Sequence, residues 1–261
     1  MISIFRKLRK SLIKSGNTRK YLLYAIGEIA LVVIGILIAL QINNWNQKRL
    51  ELNEEKVILS NLKEDFQSAM AEFESLNSIR NQIISAAKQI IRITPETVNN
   101  YQTNYLDSLF SRTLGGPTYN NKAGSLDVLL TSGKINLISN QNLKKKLISW
   151  PGDVDDMIED EVDHNEIYTG KYCDIMNKYL SWNDLVKAYI TKNLRFGDFA
   201  LEPMPENPVA TSNYKGLLGN KEFVNVLSRR TGDCMISNTE TEVLIEKAKE
   251  IISIIDNEVS N

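Results

Sequence analysis

A single histidine bounds the chemistry that this chain of 261 residues could perform. That residue, His164, follows Glu161 at the Glu-x-x-His spacing, which presents two metal ligands on one face of a helix. The helical di-metal sites that use this motif need it twice, and a Ser-His-Asp or Cys-His arrangement would also depend on His164. We therefore predict no catalytic residue, no cofactor site and no metal site, and we expect that the protein is not an enzyme.

The acidic residues around His164 could collect calcium instead. Eight carboxylates fall within 14 positions: Asp153, Asp155, Asp156, Glu159, Asp160, Glu161, Asp163 and Glu166. The run lacks the glycine that an EF-hand loop needs at its sixth position. A solvated face of a helix is the interpretation that we favour for this run.

Two cysteines, Cys173 and Cys234, are the candidates for a disulfide. Disulfides persist in exported domains, and a bridge here would tie the central helical region to the C-terminal part of the chain. The bridge also requires that the two Cα atoms lie 4.4–6.8 Å apart, which a sequence does not show. Two separate buried thiols are the alternative.

A second group of candidates concerns binding rather than bonds. Tyr119, Trp150 and Trp182 lie next to predicted turns, where aromatic residues often serve recognition. Lys144–Lys146 and Arg229–Arg230 could meet anionic headgroups or glycans. Core packing of the aromatic residues and solvation of the cations are the alternatives.

The elements that would position these residues begin with an apolar run at residues 21–42. A transmembrane helix needs about 20 mostly apolar residues, and this run contains one charged residue, Glu28. It is longer than a signal-peptide core and does not end in an Ala-x-Ala site. We therefore predict a retained transmembrane helix at residues 21–45 in a lipid bilayer.

Charge sets its orientation. Residues 1–20 carry seven basic and no acidic side chains, and basic residues beside a span stay in the cytoplasm. This tail could also form an amphipathic helix on the inner leaflet, or be a simple basic flank. The chain from about residue 46 would then be exported across the membrane. Excluding the tail and the span, 24 basic and 31 acidic residues remain, which argues against a nucleic-acid partner.

Two features inside the span could contact another helix. Gly35 and Ala39 form a small-xxx-small pattern that allows close helix packing. Glu28 is costly in lipid, so it is either protonated or near the headgroups, or it contacts a partner helix or has a proton-coupled role. Glu28, Gly35 and Ala39 are therefore the candidate intramembrane contact residues.

Beyond the span, apolar residues from Leu52 to Ile90 follow a heptad pattern that is interrupted at Arg80. No glycine or proline occurs between Gly35 and Pro95, so we predict one helix from about residue 18 to 93. Residues 46–93 would form a long stalk. Its heptad seam could pack against later helices of the same chain or pair with a second copy as a coiled coil.

The remaining residues, 94–261, predict a helical domain that packs on the stalk. No alternating strand pattern is present, so the fold class is all-α, with an antiparallel helical bundle. The predicted helices span residues 99–114, 125–131, 139–150, 153–192, 220–230 and 239–257, with Gly133 as a C-terminal cap. Residues 196–213 contain Pro203, Pro205 and Pro208 and predict a loop.

The chain also resembles a known family. The run YLLYAIGEIALVVIGILIALQINNWN, with basic residues before it, is similar to a family of uncharacterised envelope proteins of Bacteroidetes, a domain of unknown function. The segments SLDVLLTSGKINLISNQNLKKKL and NKEFVNVLSRR resemble its later landmarks. The resemblance implies an inner-membrane anchor and a helical periplasmic domain, and it supplies no catalytic residues.

Three functions are compatible with this organisation. The first is a non-enzymatic envelope protein that presents a helical domain for protein interaction, as a homo-oligomer or with an unknown membrane or periplasmic partner. The second is a periplasmic ligand-sensing module that signals through a membrane partner. The third, which we favour least, is a membrane-anchored enzyme.

Overall fold

The computed structural model describes residues 18–120, 124–193, 195–196, 199–200, 204–206 and 211–260. In these residues the α-helices are α1 Thr18–Ile91, α2 Thr103–Ser111, α3 Ser125–Thr131, α4 Gln141–Ile167, α5 Cys173–Tyr179, α6 Trp182–Asn193, α7 Tyr214–Leu218 and α8 Lys221–Ser260. Shorter helical turns lie at Val98–Asn100, Lys134–Leu137 and Tyr168–Tyr172. The basic tail, where an amphipathic helix is one of two predicted alternatives, lies outside the described residues except for the first turn of α1.

One small element is not helical. Two-residue strands, β1 Arg195–Phe196 and β2 Phe199–Ala200, pair antiparallel within the segment predicted as a loop. The all-α fold class is otherwise confirmed for the described residues.

Helix α1 begins at Thr18 and ends at Ile91, within two residues of the predicted bounds. The chain divides into two compact units, Met1–Val57 and Ile58–Asn261. In the described part of the chain, α1 is the one helix that is long and apolar enough to cross a membrane. Its most apolar window of 18 residues has a mean hydropathy of 2.5, and none of that window is buried. Large exposed apolar surfaces mark contacts with membranes or proteins.

The heptad residues of α1 after Val57 are buried within the same chain. The buried members of this seam are Leu59, Leu62, Phe66, Phe73, Leu76, Ile83, Ala87 and Ile90. Most of them divide between two hydrophobic clusters. The first, which we call the outer cluster, holds residues of α1 from Leu59 to Phe73 together with residues of α3, α4 and the C-terminal half of α8. The second, which we call the inner cluster, holds residues of α1 from Ala86 to Ile90 together with residues of α2, α5, α6, α7 and the N-terminal half of α8. Of the two alternatives for the seam, the structure has the intramolecular one.

Helix α4 continues through Pro151, where the sequence predicted a boundary between two helices. Proline lacks an N–H and normally disrupts the interior of a helix. The residues on either side are deeply buried: Leu147, Trp150 and Val154 are 0, 7 and 0% exposed. Tertiary packing of both flanking turns therefore keeps the helix continuous, and the predicted boundary was wrong.

Helix α8 is also continuous where two helices, residues 220–230 and 239–257, were predicted. The polar run between them, residues 231–238, has no helix in the prediction. In the structure its side chains are accommodated within the helix: Thr231, for example, is buried and donates a hydrogen bond from Oγ1 to Leu227 O at 2.8 Å. The prediction was wrong because hydroxyl groups that bond to the preceding turn can be buried in a helix.

Two other predicted helices have different bounds. The helix predicted over residues 99–114 is confined to Thr103–Ser111 and is preceded by a separate helical turn. The region predicted over residues 153–192 is broken between Tyr179 and Trp182. Helix α3 has the predicted bounds, and Gly133 after it has φ 73°, the left-handed conformation that favours glycine.

Candidate functional site

A groove of about 400 Å³ lies between α1, α4 and the segment that leads into α3. Its described lining includes the aromatic residues Phe66, Tyr119 and Trp150 and the carboxylates Asp65, Glu72 and Asp127. We call it the aromatic–acidic groove. Pockets of this size accommodate small molecules or single side chains.

The aromatic side of the groove is built from rings that pack on one another. The ring centroids of Phe66 and Trp150 are 4.8 Å apart in an edge-to-face arrangement. Those of Phe73 and Tyr119 are 4.6 Å apart. Phe66 and Phe73 belong to the buried seam of α1. The seam therefore supports the other two rings, Tyr119 from the segment before α3 and Trp150 from α4.

The acidic side is held by hydrogen bonds to the backbone. Asp65 Oδ2 accepts from Ser125 N at 2.5 Å, and Glu72 Oε1 accepts from Asn120 N at 3.1 Å. A Cβ at Gly124 would lie 2.6 Å from Asp65 Oδ2, so glycine at this position allows the close approach. The two carboxylates therefore attach this segment to α1 and concentrate negative charge beside the aromatic rings.

The ionisation of Tyr119 reports on this environment. Its pKa is raised to about 12, first by burial and then by the negative charges of Glu72 and Asp65. The same negative potential that disfavours a phenolate favours a cation in the groove.

A buried ion pair lies behind the groove and supports Tyr119. Glu161 of α4 pairs with Arg80 of α1, and its Oε2 accepts a hydrogen bond from Tyr119 N at 2.7 Å. Arg80 also donates to Asn77 Oδ1 at 3.2 Å and to Ser237 O at 3.4 Å. The interruption of the heptad seam at Arg80 is thus the position at which α1 is joined to α4 and α8.

The two residues of the Glu-x-x-His motif have different side-chain partners. Glu161 binds Arg80, whereas His164 Nδ1 lies 3.1 Å from Ser237 Oγ and His164 Nε2 lies 3.8 Å from Asp233 Oδ1. No group of three or more His, Cys, Asp or Glu side chains suited to a metal occurs among the described residues.

The aromatic and basic candidates separate in the structure. Tyr119 and Trp150 both line the groove, but Trp182 packs against the inner cluster. Arg230 cannot meet headgroups or glycans, which corrects the interpretation of the Arg229–Arg230 pair, because its side chain is 6% exposed and its guanidinium bonds to backbone carbonyls. Lys146 is paired with Glu250 at 2.6 Å.

The remaining predicted residues stay apart from the groove. Cys173 is half-buried and Cys234 is buried, and both are free thiols in the structure. Glu28, Gly35 and Ala39 lie on the apolar part of α1, where a Cβ at Gly35 would meet nothing within 4 Å. Contacts of these three residues with another helix remain a prediction.

Sequence reasoning missed the acidic half of the groove. Asp65 and Glu72 are seven residues apart, so they lie near each other on one face of α1, at a spacing that matches the heptad. Each lies one residue before a buried phenylalanine of the seam, Phe66 or Phe73. That repeat was a usable signal for a paired acidic edge, but the segment that it binds is 48–60 residues away in sequence.

A family model with the description "Family of unknown function (DUF6090)" matches residues 28–174, which is more than half of the chain. The match includes the apolar run from Glu28 onward and all the residues that line the groove. No curated protein and no solved structure matches this chain.

Proposed function

The chain belongs to DUF6090, a family of unknown function, and we propose that it is a non-enzymatic, single-pass protein of a bacterial inner membrane. The apolar part of α1 would span the bilayer with the seven basic residues on the cytoplasmic side. The domain after the span, with its helices in a bundle, would be periplasmic. Its role is to bind a partner protein through the aromatic–acidic groove, which receives a cationic side chain of that partner.

The observation that carries this proposal is the combination of aromatic rings and carboxylates around one groove. A cation is attracted to the faces of aromatic rings and to carboxylates, so this lining is complementary to an ammonium or guanidinium group. Burial is the main cause of the raised pKa of Tyr119, and the smaller contributions of Glu72 and Asp65 have the sign expected of a negative potential. An apolar ligand alone would leave Asp65 and Glu72 without an opposite charge among the described residues of the lining.

The groove also favours binding over chemistry. Asp65 and Glu72 both accept hydrogen bonds from backbone N–H groups of the segment before α3. These bonds hold both carboxylates in place against that segment, which suits them to a fixed counter-charge for a bound cation.

A direct test uses the full chain in lipid nanodiscs and calorimetric titration. The probe is Nα-acetyl-lysine methylamide, and its neutral counterpart is Nα-acetyl-norleucine methylamide. We expect the cationic probe to bind about tenfold more tightly, and Glu72→Gln to remove that difference. The matched control is Glu74→Gln, which changes an exposed carboxylate on α1 outside the groove lining. Equal binding of the two probes would contradict a cation site.

The size of the groove favours a second candidate, a sensor for a free small cation. Its volume of about 400 Å³ lies within the range of small-molecule sites. A photo-crosslinking residue at Asp127, an exposed position of the lining, distinguishes the two functions in native membranes. A crosslinked protein that is lost with Glu72→Gln supports a protein partner. Binding of the lysine probe without any such crosslink supports the sensor.

Orientation is tested separately with a C-terminal alkaline phosphatase fusion, which is active only after export. We expect activity in cells that carry the complete chain. As a control, replacing the basic residues Arg19 and Lys20 together with the earlier cations by glutamine should reduce export of the reporter. An inactive phosphatase in the unmodified chain would contradict the periplasmic location.

A further inference from the structure

A second, smaller cavity lies within the helical domain, and the Arg80–Glu161 pair behind the groove forms part of its lining. Its volume is about 20 Å³, and it is lined by residues of α1, α4, α8 and the segment after α2, among them Arg80, Gly116, Glu161, His164, Arg230 and Asp233. A single water molecule requires about 10–15 Å³ measured in this way. The cavity therefore has room for one water-sized molecule.

Arg230 is fixed against this cavity by its other contacts. Its Nη2 donates to Thr113 O at 3.1 Å and also to Gly115 O. Its guanidinium carbon lies 4.1 Å from the centre of the Tyr168 ring. The side chain is 6% exposed, and its Nε has no hydrogen-bond partner among the described residues. The guanidinium cannot turn without losing these contacts. Burial of its Nε–H therefore costs free energy unless a small molecule in the cavity accepts a hydrogen bond from it.

Asp233, in contrast, needs a hydrogen-bond donor. Its side chain is 14% exposed, and within the described chain its Oδ2 is buried without a hydrogen-bond partner. Arg229 Nε is 4.0 Å from Oδ2, and His164 Nε2 is 3.8 Å from Oδ1. Both separations exceed hydrogen-bond length, and gaps of this size between polar groups are commonly bridged by water.

We infer that this cavity is a binding site for one structural water, which accepts a hydrogen bond from Arg230 Nε and donates one to Asp233 Oδ2. Water is suited to the site because it supplies an acceptor and a donor at once. An anion would satisfy Arg230 but would face Glu161 and Asp233, and a cation would face Arg80 and Arg230. The neutral, two-sided ligand matches the balanced charges of the lining.

The water would connect elements that share no backbone hydrogen bonds in the described part of this region. Through Arg230 it is linked to the carbonyls of Thr113 and Gly115 after α2. Through Asp233 it is linked to a second position of α8 that faces the cavity, beside His164 of α4. The site therefore joins the segment after α2 to the two long helices that pack on α1.

Crystals of the full chain grown in a lipidic mesophase test this site at a resolution that shows ordered water. We expect one density peak within hydrogen-bonding distance of both Arg230 Nε and Asp233 Oδ2. Crystals soaked in bromide should show no anomalous peak there. A cavity without density, or an anomalous bromide peak at Arg230, would overturn the inference.

A variant pair gives a second measurement. Asp233→Ala removes the acceptor, and we expect it to abolish the density peak and to lower the melting temperature of the full chain by a few degrees. Asp163→Ala is the matched control, because it removes an exposed carboxylate of α4 that does not line the cavity. If Asp233→Ala retains both the peak and the melting temperature of its control, the bridging role of the water is wrong.

Discussion

Arg80 of α1 and Glu161 of α4 form an ion pair inside the helical domain, and each side chain is 2% exposed. The pair lies between the two hydrophobic clusters, at a position where the neighbouring heptad residues of α1 are apolar. Glu161 also holds Tyr119 N, so the pair connects the core to the groove. A buried pair of this kind does little for stability compared with apolar packing, but it penalises any shift in the register of α1.

Breaking this pair should destabilise the domain strongly. We expect Arg80→Met or Glu161→Gln to lower the free energy of unfolding by about 3–5 kcal/mol, because one charge remains buried without its partner. The double variant Arg80→Met with Glu161→Leu should recover most of that loss. Urea denaturation of the full chain measures each value. The control is Lys63→Met, which breaks the exposed pair with Asp256 and should cost less than about 1 kcal/mol.

Glu240 should make stability depend on pH. Its pKa is raised from 4.5 to about 7, first by burial and then by the hydrogen bond and charge of Asp160 and the charge of Asp156, while Arg80 opposes the shift. Because the folded state holds the proton more tightly, its stabilising effect is present below pH 4.5 and is lost as the pH rises through 7. Since Glu240 is partly exposed, screening limits the loss to on the order of 1 kcal/mol.

The measurement for Glu240 is the urea midpoint at acidic and at mildly alkaline pH. Glu240→Gln should flatten the dependence over this range, because glutamine remains neutral. Glu242→Gln changes an exposed neighbour on α8 and should leave the dependence as it is in the unmodified protein. A Glu240→Gln protein with the original pH dependence would show that another group titrates.

The ring of Tyr119 should contribute to cation binding in the groove, and its hydroxyl should be dispensable for that binding. If the groove binds cations, Tyr119→Phe keeps the aromatic face and should leave the affinity for the lysine probe unchanged. Tyr119→Leu removes the face and should weaken binding about threefold to tenfold. Both affinities are measured by calorimetry on the full chain. Equal losses in the two variants would point to the hydroxyl instead.

Gly116 should not tolerate a side chain. A Cβ at this position would overlap Asn165 Oδ1 and would lie 2.6 Å from Asn165 Cγ. We expect Gly116→Ala to destabilise by about 1–3 kcal/mol, and Asn165→Ala in the same chain to relieve part of that loss. Gly152→Ala is the control: a Cβ there meets nothing within 4 Å, and alanine is the better helix former. Thermal unfolding distinguishes the three proteins.

Cys173 and Cys234 should be free thiols in the folded protein. Burial raises the pKa of both Cys173 and Cys234, with nearby Arg230 opposing the shift in each. Raised thiol pKa values reduce the thiolate fraction and slow disulfide formation. We expect two free thiols per chain in unreduced, denatured protein. A count of zero by a thiol-reactive dye would show that the candidate bridge forms.

Local patterns were sufficient for part of the fold. The apolar run, its continuation into the heptad seam and the bounds of α3 depend on neighbours within one or two turns, so they were predicted closely. The continuity of α4 at Pro151 and of α8 at Thr231 was not predictable in this way. In both places burial against distant elements outweighs a local propensity for a break.

The groove shows the same division. Tyr119 and Trp150 were identified as candidates from their types and their places beside turns, whereas the carboxylates that complete the site appeared only as ordinary charges on a helix. Asp65 gains its role by approaching Ser125 N, 60 residues later, and Glu72 by approaching Asn120 N. Hydrogen bonds between segments so far apart depend on how the helices pack.

The order of residues alone therefore determined the apolar helix, the asymmetry of charge around it and the helical character of the chain beyond it, because periodicity and composition act locally. Only the tertiary structure decided that the seam of α1 turns inward, that Arg80 meets Glu161, and that aromatic and acidic side chains share one groove. These are pairings across 48 to 81 residues, and the free energy that selects them comes from burying surface that no single segment can bury by itself.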